Sequence, residues 1–416
     1  MAEAKMSTEP TALIKIEGLY KLFGNNPKKF MPLVHAGKSK DEILAETGHT
    51  LGLKDINLTI NRGEIFVIMG LSGSGKSTLI RHFNRLIDPT EGVIEVEGTD
   101  VMKLPQKELE QFRRHKMSMV FQRFGLLPHK SVIDNVAYGL SIQGVSKSES
   151  GAKAKEWLKT VGLAGYEDQY PAQLSGGQQQ RVGLARALCT DAEILLMDEA
   201  FSALDPLIRS EMQDQLIELQ EQLHKTIIFI THDLDEALRI GDRIAILKDG
   251  EMVQQGEPED ILLNPANDYV EAFVRDVNRA RALTVETVMK DPVNRITADT
   301  IGEALKQMKG FKGDYGYYVN EDGYQGVLTE EKLQAAYDDD HKAKLTSEHW
   351  EELDAISQDA VLETVIPDTL NSQYSLPVID DEGEMTGQLS RSTLAEVLGN
   401  EEPKTAKTEP PAPAGS

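Results

Sequence analysis

The sequence has a single cysteine, few aromatic residues (6%) and fewer basic than acidic residues. The lone cysteine, Cys189, excludes an internal disulfide and fits a reducing compartment. Because apolar residues precede it, we predict a buried structural thiol rather than a reactive one. The 44 basic and 68 acidic residues give a net charge of −24, whereas a protein that binds nucleic-acid phosphates usually carries the opposite sign. We therefore expect no nucleic-acid partner.

Long apolar runs are also missing. A bilayer crossing needs roughly 18–20 consecutive apolar residues, but the run from Ile65 to Leu71 has seven and contains a glycine. The N-terminal segment is acidic and polar, whereas a signal peptide begins with basic residues and continues with an apolar core. These features predict a chain that does not span a membrane and stays in the cytoplasm.

The 416 residues predict about two to four domains, and the charge distribution indicates where one of them ends. Residues 284–416 contain 27 acidic and 11 basic residues and so carry two thirds of the net charge, which places a boundary near Leu283. Residues 1–283 alternate short β-branched runs with helical patterns, which is typical of an α/β domain whose strands are buried on both faces. The predicted strands are Ile65–Met69, Ile194–Met197, Thr226–Ile230 and Arg243–Leu247.

The second part of the chain contains an imperfect repeat with an offset of 59 to 61 residues. Each copy predicts a strand, an acidic–glycine turn, a second strand, and a helix that begins after a hydroxyl cap, Thr329 or Ser390. We expect repeats at residues 284–340 and 341–399 that pack as a pair, since one unit of this size buries little core. The tail, 400–416, is predicted to be disordered. The matched positions are Tyr315, Val319, Gly323 and Gly326 in the first copy and Tyr374, Val378, Gly383 and Gly387 in the second.

Residues 26–50 lie between two strand-like runs and predict a helical insertion. Ser39 followed by Glu42 is a capping-box pattern ahead of apolar residues. A surface insertion is favoured here over a functional site.

A glycine-rich loop, Gly70–Thr78, follows the predicted strand at Ile65–Met69 and precedes a helix. Its pattern G-x-x-x-x-G-K-[ST] is that of a phosphate-binding P-loop. The glycines allow successive N–H groups to face phosphates, while Lys76 reaches the β- and γ-phosphates of ATP and Ser77 offers its hydroxyl to Mg²⁺. The candidate nucleotide-binding residues of the loop are Gly70, Ser72, Gly73, Ser74, Gly75, Lys76, Ser77 and Thr78.

Two carboxylates, Asp198 and Glu199, end another apolar strand. Buried strands of such sheets deliver their C-terminal residues to the crevice where ligands bind. Asp198 is therefore predicted to hold the Mg²⁺ shell and Glu199 to polarise the attacking water. The P-loop and this strand end together predict a P-loop NTPase.

Four further motifs occur in the order and spacing of one P-loop family. They resemble the Q-loop, signature motif, D-loop and H-loop of ABC-type ATPases, and the resemblance covers roughly residues 12–260. It implies an ABC nucleotide-binding domain with a helical subdomain at about 123–190. The motifs are Phe121–Gln122, Leu174–Gln178 (with Ser175, Gly176, Gly177 and Gln178), Ser202–Asp205 and Ile230–Asp233.

The resemblance assigns expected roles to single residues. Gln122 joins Ser77 and Asp198 as a Mg²⁺ ligand, and His232 contacts the γ-phosphate beside the catalytic Glu199. Phe23 matches the aromatic residue that stacks on adenine.

Some assignments in this region stay open. Phe23 is alternatively a core residue, with Tyr20 as the competing stacker. Asp205 belongs to the D-loop. Asp55, Arg62 and Arg81 receive no role.

The signature helix predicts a second copy of the chain. Ser175 and the following glycines form a helix N-terminus that would bind an anion, but Lys76 already holds the phosphates of its own subunit. In the family, two such domains enclose two ATP molecules head to tail. The resemblance therefore implies a homodimer, or a pair with a related chain.

The region around the Q-loop, Phe121–Pro128, resembles that of bacterial importer ATPases, in which it receives a helix from the permease. The C-terminal repeat resembles tandem CBS domains, an α+β pair. Together with the insertion, these features resemble the ATPase subunit of osmoregulatory glycine betaine or quaternary ammonium importers. The resemblance implies a place at the cytoplasmic face of the cell membrane, with permease subunits and a fused or separate substrate-binding protein as partners.

Two other functions remain open: an importer ATPase for another substrate, such as methionine or another amino acid, and a CBS-type sensor with an incidental ATPase. In the CBS pair, the positions that commonly hold a ribose-binding aspartate are Lys332 and Thr393, so ordinary AMP or ATP binding there is not expected. The resemblance implies a cyclic dinucleotide and ionic strength as inputs instead. Lys306, Lys309 and Lys312 form either a basic stripe that binds anionic lipid or a solvated helix end.

Overall fold

A computed structural model describes residues 11–398 except 123, 124, 203, 276, 312 and 341. The chain divides into two compact units, Met1–Asp276 and Val277–Ser416. The division falls upstream of Leu283, so residues 277–283 belong to the second unit. The tail predicted to be disordered, 400–416, lies outside the described residues. In the described part of the chain, no helix combines the length and apolar character needed to cross a bilayer.

The strands of the first unit form two sheets. One sheet has the order β2-β1-β4-β5 and is antiparallel. The other has the order β10-β9-β3-β8-β7-β6, and all its pairs are parallel except the edge pair β9–β10. The strands are β1 (Ala12–Phe23), β2 (Thr50–Asn61), β3 (Ile65–Met69), β4 (Glu91–Val96), β5 (Thr99–Asp100), β6 (Met117–Val120), β7 (Ile194–Asp198), β8 (Thr226–Thr231), β9 (Arg243–Lys248) and β10 (Glu251–Gly256).

The parallel sheet carries the predicted α/β pattern. Every residue of β3, β7 and β8 is buried, which explains their continuous apolar sequences, since helices cover both faces of such sheets. These three strands are neighbours and run in the same direction, so their carboxyl ends meet at one edge. The P-loop follows β3, Glu199 follows β7, and His232 follows β8.

The helices of the first unit include the predicted insertion. Its helix at Lys40–Thr47 has the expected capping box between Ser39 and Glu42, and a helix at Met31–His35 was not predicted. Short 3₁₀ turns lie at Pro27–Phe30, Val101–Lys103 and Pro171–Gln173. The helices are α1 (Met31–His35), α2 (Lys40–Thr47), α3 (Lys76–Phe83), α4 (Gln106–His115), α5 (Val132–Val136), α6 (Tyr138–Ile142), α7 (Lys147–Thr160), α8 (Gly176–Cys189), α9 (Pro206–Leu223), α10 (Leu234–Ile240), α11 (Pro258–Leu263) and α12 (Asp268–Val274).

Helices α5 to α8 share an apolar core separate from that of the sheets, with Leu140, Leu158 and Val182 among its buried residues. Cys189 lies in this core and is 2% exposed, as predicted for a structural thiol. Burial raises the pKa of its thiol to about 11, which keeps it protonated and unreactive at neutral pH.

The second unit contains two three-stranded sheets of the same construction. In each, a short strand pairs in parallel with the first strand of a hairpin. A 3₁₀ turn lies at Arg279–Arg281. The elements are α13 (Val285–Val288), β11 (Arg295–Ile296), α14 (Ile301–Met308), β12 (Tyr315–Asn320), β13 (Gly323–Thr329), α15 (Glu330–Asp340), β14 (Ile356–Ser357), α16 (Leu362–Asn371), β15 (Leu376–Ile379), β16 (Met385–Leu389) and α17 (Arg391–Leu398).

The strand register corrects one match within the repeat. Val378 pairs with Gly387 and Ile356, and the residue with the corresponding partners, Gly326 and Ile296, is Tyr318 rather than Val319. Both hairpins have a register shift immediately after this position. The shared position of the shift supports the match of Tyr318 with Val378, which a comparison of residue types does not reveal.

Candidate nucleotide-binding site

The P-loop is packed so closely that it requires glycine at two positions. Gly70 has φ 147° and Gly75 has φ 107°, and side chains are strained in this region of backbone space. A Cβ atom at Gly70 would lie 2.2 Å from the carbonyl oxygen of Leu247, and one at Gly75 would lie 2.8 Å from that of Gly52. The loop, which follows β3, therefore packs against β9 and β2.

Lys76 is held inside this loop at the start of α3. Its Nζ donates to the carbonyl oxygens of Gly70 at 2.7 Å and Leu71 at 3.1 Å. Burial lowers the pKa of this ammonium, while the nearby Glu199 and Asp198 carboxylates act in the opposite direction. The chain thus places a buried cation at the predicted binding position of the ATP phosphates.

Ser77 and Asp198, which the sequence assigns to one Mg²⁺ site, lie side by side although they are far apart in the chain. The Ser77 hydroxyl donates to Asp198 Oδ1 at 2.9 Å. Asp198 is 4% exposed, and the Arg81 guanidinium lies 3.7 Å from its other oxygen. The sequence assigned no role to Arg81, because only the fold brings the last turn of α3 beside the end of β7.

Glu199 is the meeting point of four motifs. Its Oε2 accepts a hydrogen bond from Gln122 Nε2 at 2.8 Å. Its Oε1 lies 3.9 Å from Lys76 Nζ and 3.8 Å from His232 Nδ1. Its backbone has φ 47°, in the left-handed region, and its carbonyl oxygen accepts the hydroxyl of Ser202 at 2.9 Å. The structure therefore brings the P-loop, the Q-loop, the end of β7 and the H-loop to one carboxylate.

These groups open onto a cleft of about 480 Å³. Phe23 lies in its wall, and Gly52 packs under the Phe23 ring, since a Cβ there would be 2.7 Å from a ring carbon. Tyr20 instead contacts the His35 ring and packs on the insertion. Gly70, Ser74 and Asp198 are buried behind the wall. The residues that line the cleft are Phe23, Lys40, Thr50, Leu51, Gly52, Ser72, Gly73, Gly75, Lys76, Ser77, Thr78, Gln122 and Glu199.

Lys40 is one of the cleft residues that the sequence did not indicate, together with Thr50, Leu51 and Gly52. The capping-box pattern predicted the helix on which it lies, but no local signal connects that helix to the P-loop. Its position depends on how the insertion folds back onto β1 and β2.

The signature motif forms a second cleft, of about 370 Å³. Ser175 caps α8: its hydroxyl accepts the N–H of Gln178 at 3.3 Å, and the Gln178 side chain accepts the N–H of Ser175 at 2.9 Å. Gly176, Gly177 and Asp205 lie in the same wall. Among the described residues, none lines both clefts, so one chain does not bring its signature motif to its own P-loop.

A parallel sheet with a P-loop, a buried lysine, a serine–aspartate pair and a glutamate beside the glutamine and histidine of neighbouring loops defines an ABC-type P-loop ATPase. Comparison with known proteins agrees with this class: a family model described as ABC transporter matches residues 53–202. The chain belongs to the ATP-binding proteins of the ABC transporter family and is an ATP-hydrolysing transport ATPase.

Two curated relatives match nearly the whole chain. The glycine betaine/carnitine transport ATP-binding protein GbuA of Listeria monocytogenes is 49% identical over 400 residues, 93% of this chain and 98% of the relative. The glycine betaine/proline betaine transport system ATP-binding protein ProV of Escherichia coli is 44% identical over 401 residues, with the same coverage.

A solved structure extends the comparison to the fold. The dimeric post-hydrolysis state of the ATP-binding cassette MJ0796 bound to ADP and Pi matches with 34% identity and a TM-score of 0.51. It covers 59% of this chain and 99% of that one.

Proposed function

We propose that this chain hydrolyses ATP to power the import of glycine betaine or a related quaternary ammonium solute through a membrane permease. The observation that carries the proposal is the identity of 49% with GbuA across 93% of the chain. A match of this length extends beyond the nucleotide-binding unit into the acidic second unit. A likeness restricted to the ATPase motifs would support ATP hydrolysis without favouring any transported solute.

The site supports a division of roles for ATP hydrolysis. Lys76 binds the phosphates, and Phe23 stacks on adenine. Glu199 polarises the attacking water as general base, while Gln122 and His232 orient the Glu199 carboxylate. Positioning matters here because phosphoryl transfer depends mainly on aligned groups and charge stabilisation.

The oxygen donors at the edge of the sheet fit Mg²⁺. The Ser77 hydroxyl and Asp198 carboxylate are already 2.9 Å apart, and Gln122 directs its amide nitrogen to Glu199, which leaves its amide oxygen for a ligand. Magnesium prefers such hard oxygen ligands and keeps several waters. When bound with ATP, the ion neutralises charge on the phosphates.

A second copy of the chain completes the site in this proposal. The signature cleft and the P-loop cleft are separate within one chain, and Ser175 presents a helix N-terminus that needs an anion from outside. The dimeric state of the similar cassette MJ0796 supports a paired arrangement. Asp205, which caps α9 in the wall of the signature cleft, would lie at the boundary between the copies.

An apolar groove of about 330 Å³ supports a permease helix as partner. Phe121, Tyr138 and Ile142 line it, and each is 38 to 43% exposed although large and apolar. Exposed apolar surface of this kind marks an interaction site. Phe121 precedes Gln122, so a helix bound in this groove would act directly on the glutamine that contacts Glu199.

The second unit is proposed to act as a tandem CBS pair that regulates transport in response to ionic strength. Thr329 and Ser390 cap their helices by accepting the N–H groups of Lys332 and Thr393. Lys332 and Thr393 occupy the positions that commonly hold a ribose-binding aspartate, so neither repeat has an aspartate there. A cyclic dinucleotide remains the candidate ligand.

The basic stripe proposed to contact anionic lipid at the cytoplasmic face of the membrane is described only in part. Lys306 and Lys309 are exposed at the end of α14. Lys312 lies outside the described residues.

Uptake into proteoliposomes tests the proposed function. The chain is combined with its permease and binding protein, and ATP-driven accumulation of labelled betaine, carnitine, proline and methionine is compared. We expect betaine or carnitine to accumulate, and no solute to accumulate with Glu199→Gln. Accumulation of methionine alone would support the alternative of an amino-acid importer, whereas ATP turnover that never drives uptake would favour a sensor.

A further inference from the structure

The helical insertion between β1 and β2 reaches the nucleotide cleft. Its two ends are held together because Phe23, at the end of β1, pairs with Thr50, at the start of β2. Within the insertion, Ile43 of α2 is fully buried in a cluster with Leu51. The insertion is therefore packed onto the two strands whose ends form one wall of the cleft.

The start of α2 is oriented so that Lys40 faces this wall. Residues three apart lie on the same face of a helix, so Lys40 points to the side on which Ile43 is buried. The capping box between Ser39 and Glu42 stabilises the first turn. Lys40 accordingly lines the cleft together with Phe23 and the P-loop.

Lys40 differs from Lys38 and Lys29, two other lysines of the insertion, in its contacts. Lys38 is bonded to the Glu46 carboxylate, and the Lys29 ammonium lies 5.6 Å from the centre of the Phe30 ring. Across the described parts of residues 11–398, no carboxylate pairs with Lys40. Its positive charge is therefore available to a ligand in the cleft.

We propose that the Lys40 ammonium binds the phosphate chain of the nucleotide, so that the insertion supplies a second cation to the site beside Lys76. This inference rests on the assignment of the cleft to ATP. The phosphates are the charged part of the ligand, whereas adenine and ribose are neutral, so a cation without a protein partner gains most by contacting a phosphate oxygen. The insertion is then a part of the nucleotide site and not only a surface addition.

Equilibrium binding to the full-length chain tests this. Affinities for ATP, ADP and adenosine are measured without Mg²⁺, so that no turnover occurs, for the original chain and for Lys40→Met. We expect affinity for ATP and ADP to fall about fivefold to tenfold and affinity for adenosine to stay unchanged. The loss should shrink as NaCl is raised, because salt screens an accessible charge.

Two variants control for effects unrelated to the contact. Lys40→Arg keeps the charge and should restore most of the affinity. Lys38→Met removes the same charge from the same insertion, outside the cleft, and should leave all three affinities unchanged. Thermal unfolding without nucleotide checks that each variant folds.

The outcomes separate this inference from the proposed function. An unchanged ATP affinity in Lys40→Met, or an equal loss for adenosine, overturns the phosphate contact. Lys76→Met is measured in parallel: if it retained full ATP affinity, the assignment of the cleft itself would be wrong. If Lys76→Met loses affinity and Lys40→Met does not, only the role of Lys40 is rejected.

Discussion

Glu199 joins an unusual backbone conformation to a cluster of polar neighbours. Its φ of 47° costs about 1–3 kcal/mol for a residue other than glycine, and this conformation turns the carboxylate towards Gln122, Lys76 and His232. Such strain is retained where the surrounding structure holds it and often marks a functional position. We therefore expect ATP hydrolysis to depend on the position of the Glu199 carboxylate as well as on its charge.

Glu199→Gln should reduce ATP turnover about 100-fold or more, because the amide cannot act as a base on water. ATP affinity should be kept, since Lys76 and the P-loop are unchanged, and a nucleotide-bound dimer should accumulate. Steady-state hydrolysis and nucleotide retention on gel filtration measure both effects. Glu251→Gln, on the surface and paired with Lys54, is the control. Near-normal turnover in Glu199→Gln would refute the assignment.

His82 makes the stability of the first unit sensitive to acid. It is fully buried on α3, its Nδ1 donates to the Thr78 carbonyl oxygen at 2.7 Å, and its Nε2 has no partner in the described part of the chain. Burial lowers the pKa of His82 from 6.5 to about 4. Protonation is thus disfavoured in the folded state, and its contribution to stability is present above pH 6.5 and lost as the pH falls towards 4.

Between pH 7 and pH 5, this group should reduce the free energy of unfolding by about 2 kcal/mol. His82→Asn keeps a donor for Thr78 but does not titrate, so its loss of stability over the same interval should be smaller by that amount. Urea unfolding at both pH values, monitored for the first unit, makes the comparison. Equal losses in the two proteins would show that His82 is not the group responsible.

The signature helix, α8, begins at a capped N-terminus whose cleft shares no described residue with the P-loop cleft. Ser175→Arg places a bulky cation at that end and leaves the P-loop unchanged, so hydrolysis should be lost while ATP still binds. Mixed with Lys76→Ala subunits, it should form dimers with one intact composite site. Two quantities are measured in the mixture: closure of the dimer around ATP at one site, and residual ATP turnover.

The control for this experiment is another helix cap. Ser146 caps α7 by accepting the N–H of Glu149, as Ser175 does for α8, but it lies outside the signature cleft. Ser146→Arg should cost stability of about 1 kcal/mol and leave turnover unchanged. If the mixed dimers show neither closure nor turnover, the head-to-tail arrangement is wrong.

For the whole molecule, the division into two units sets where the chain can be cut. Leu283, where charge alone suggests a boundary, is buried, and its carbonyl oxygen accepts the N–H of Leu362 within the second unit. A cut after Asp276 follows the division. We expect this truncation to keep ATP hydrolysis, because the first unit is intact. It should abolish the salt threshold, the salt concentration above which transport is activated, because the proposed sensor is removed.

Transport in liposomes with graded anionic lipid measures that threshold. In the full chain, rising salt should activate uptake, since salt shortens the range over which basic side chains are attracted to lipid. The double variant Lys306→Gln, Lys309→Gln removes two charges of the basic stripe while both units stay present. A truncated protein that retains the full threshold would exclude the second unit from salt sensing.

Local sequence determined much of this protein. The P-loop, the two carboxylates at the end of β7 and the capping boxes at Ser39 and Ser175 are each contiguous, because their chemistry depends on backbone conformation within a few residues. The strands of the parallel sheet were predictable for a related reason: burial on both faces requires continuous apolar residues.

Contacts between distant segments were decided by the tertiary structure. The distances from Glu199 to Gln122 and His232 depend on the order and register of β6, β7 and β8, while Arg81 and Lys40 reach the site through packing. The one-residue shift that aligns Tyr318 with Val378 is likewise a property of strand pairing. Sequence specifies local conformation and burial, but which side chains meet is determined only when strands pair and helices pack, since those contacts join residues far apart in the chain.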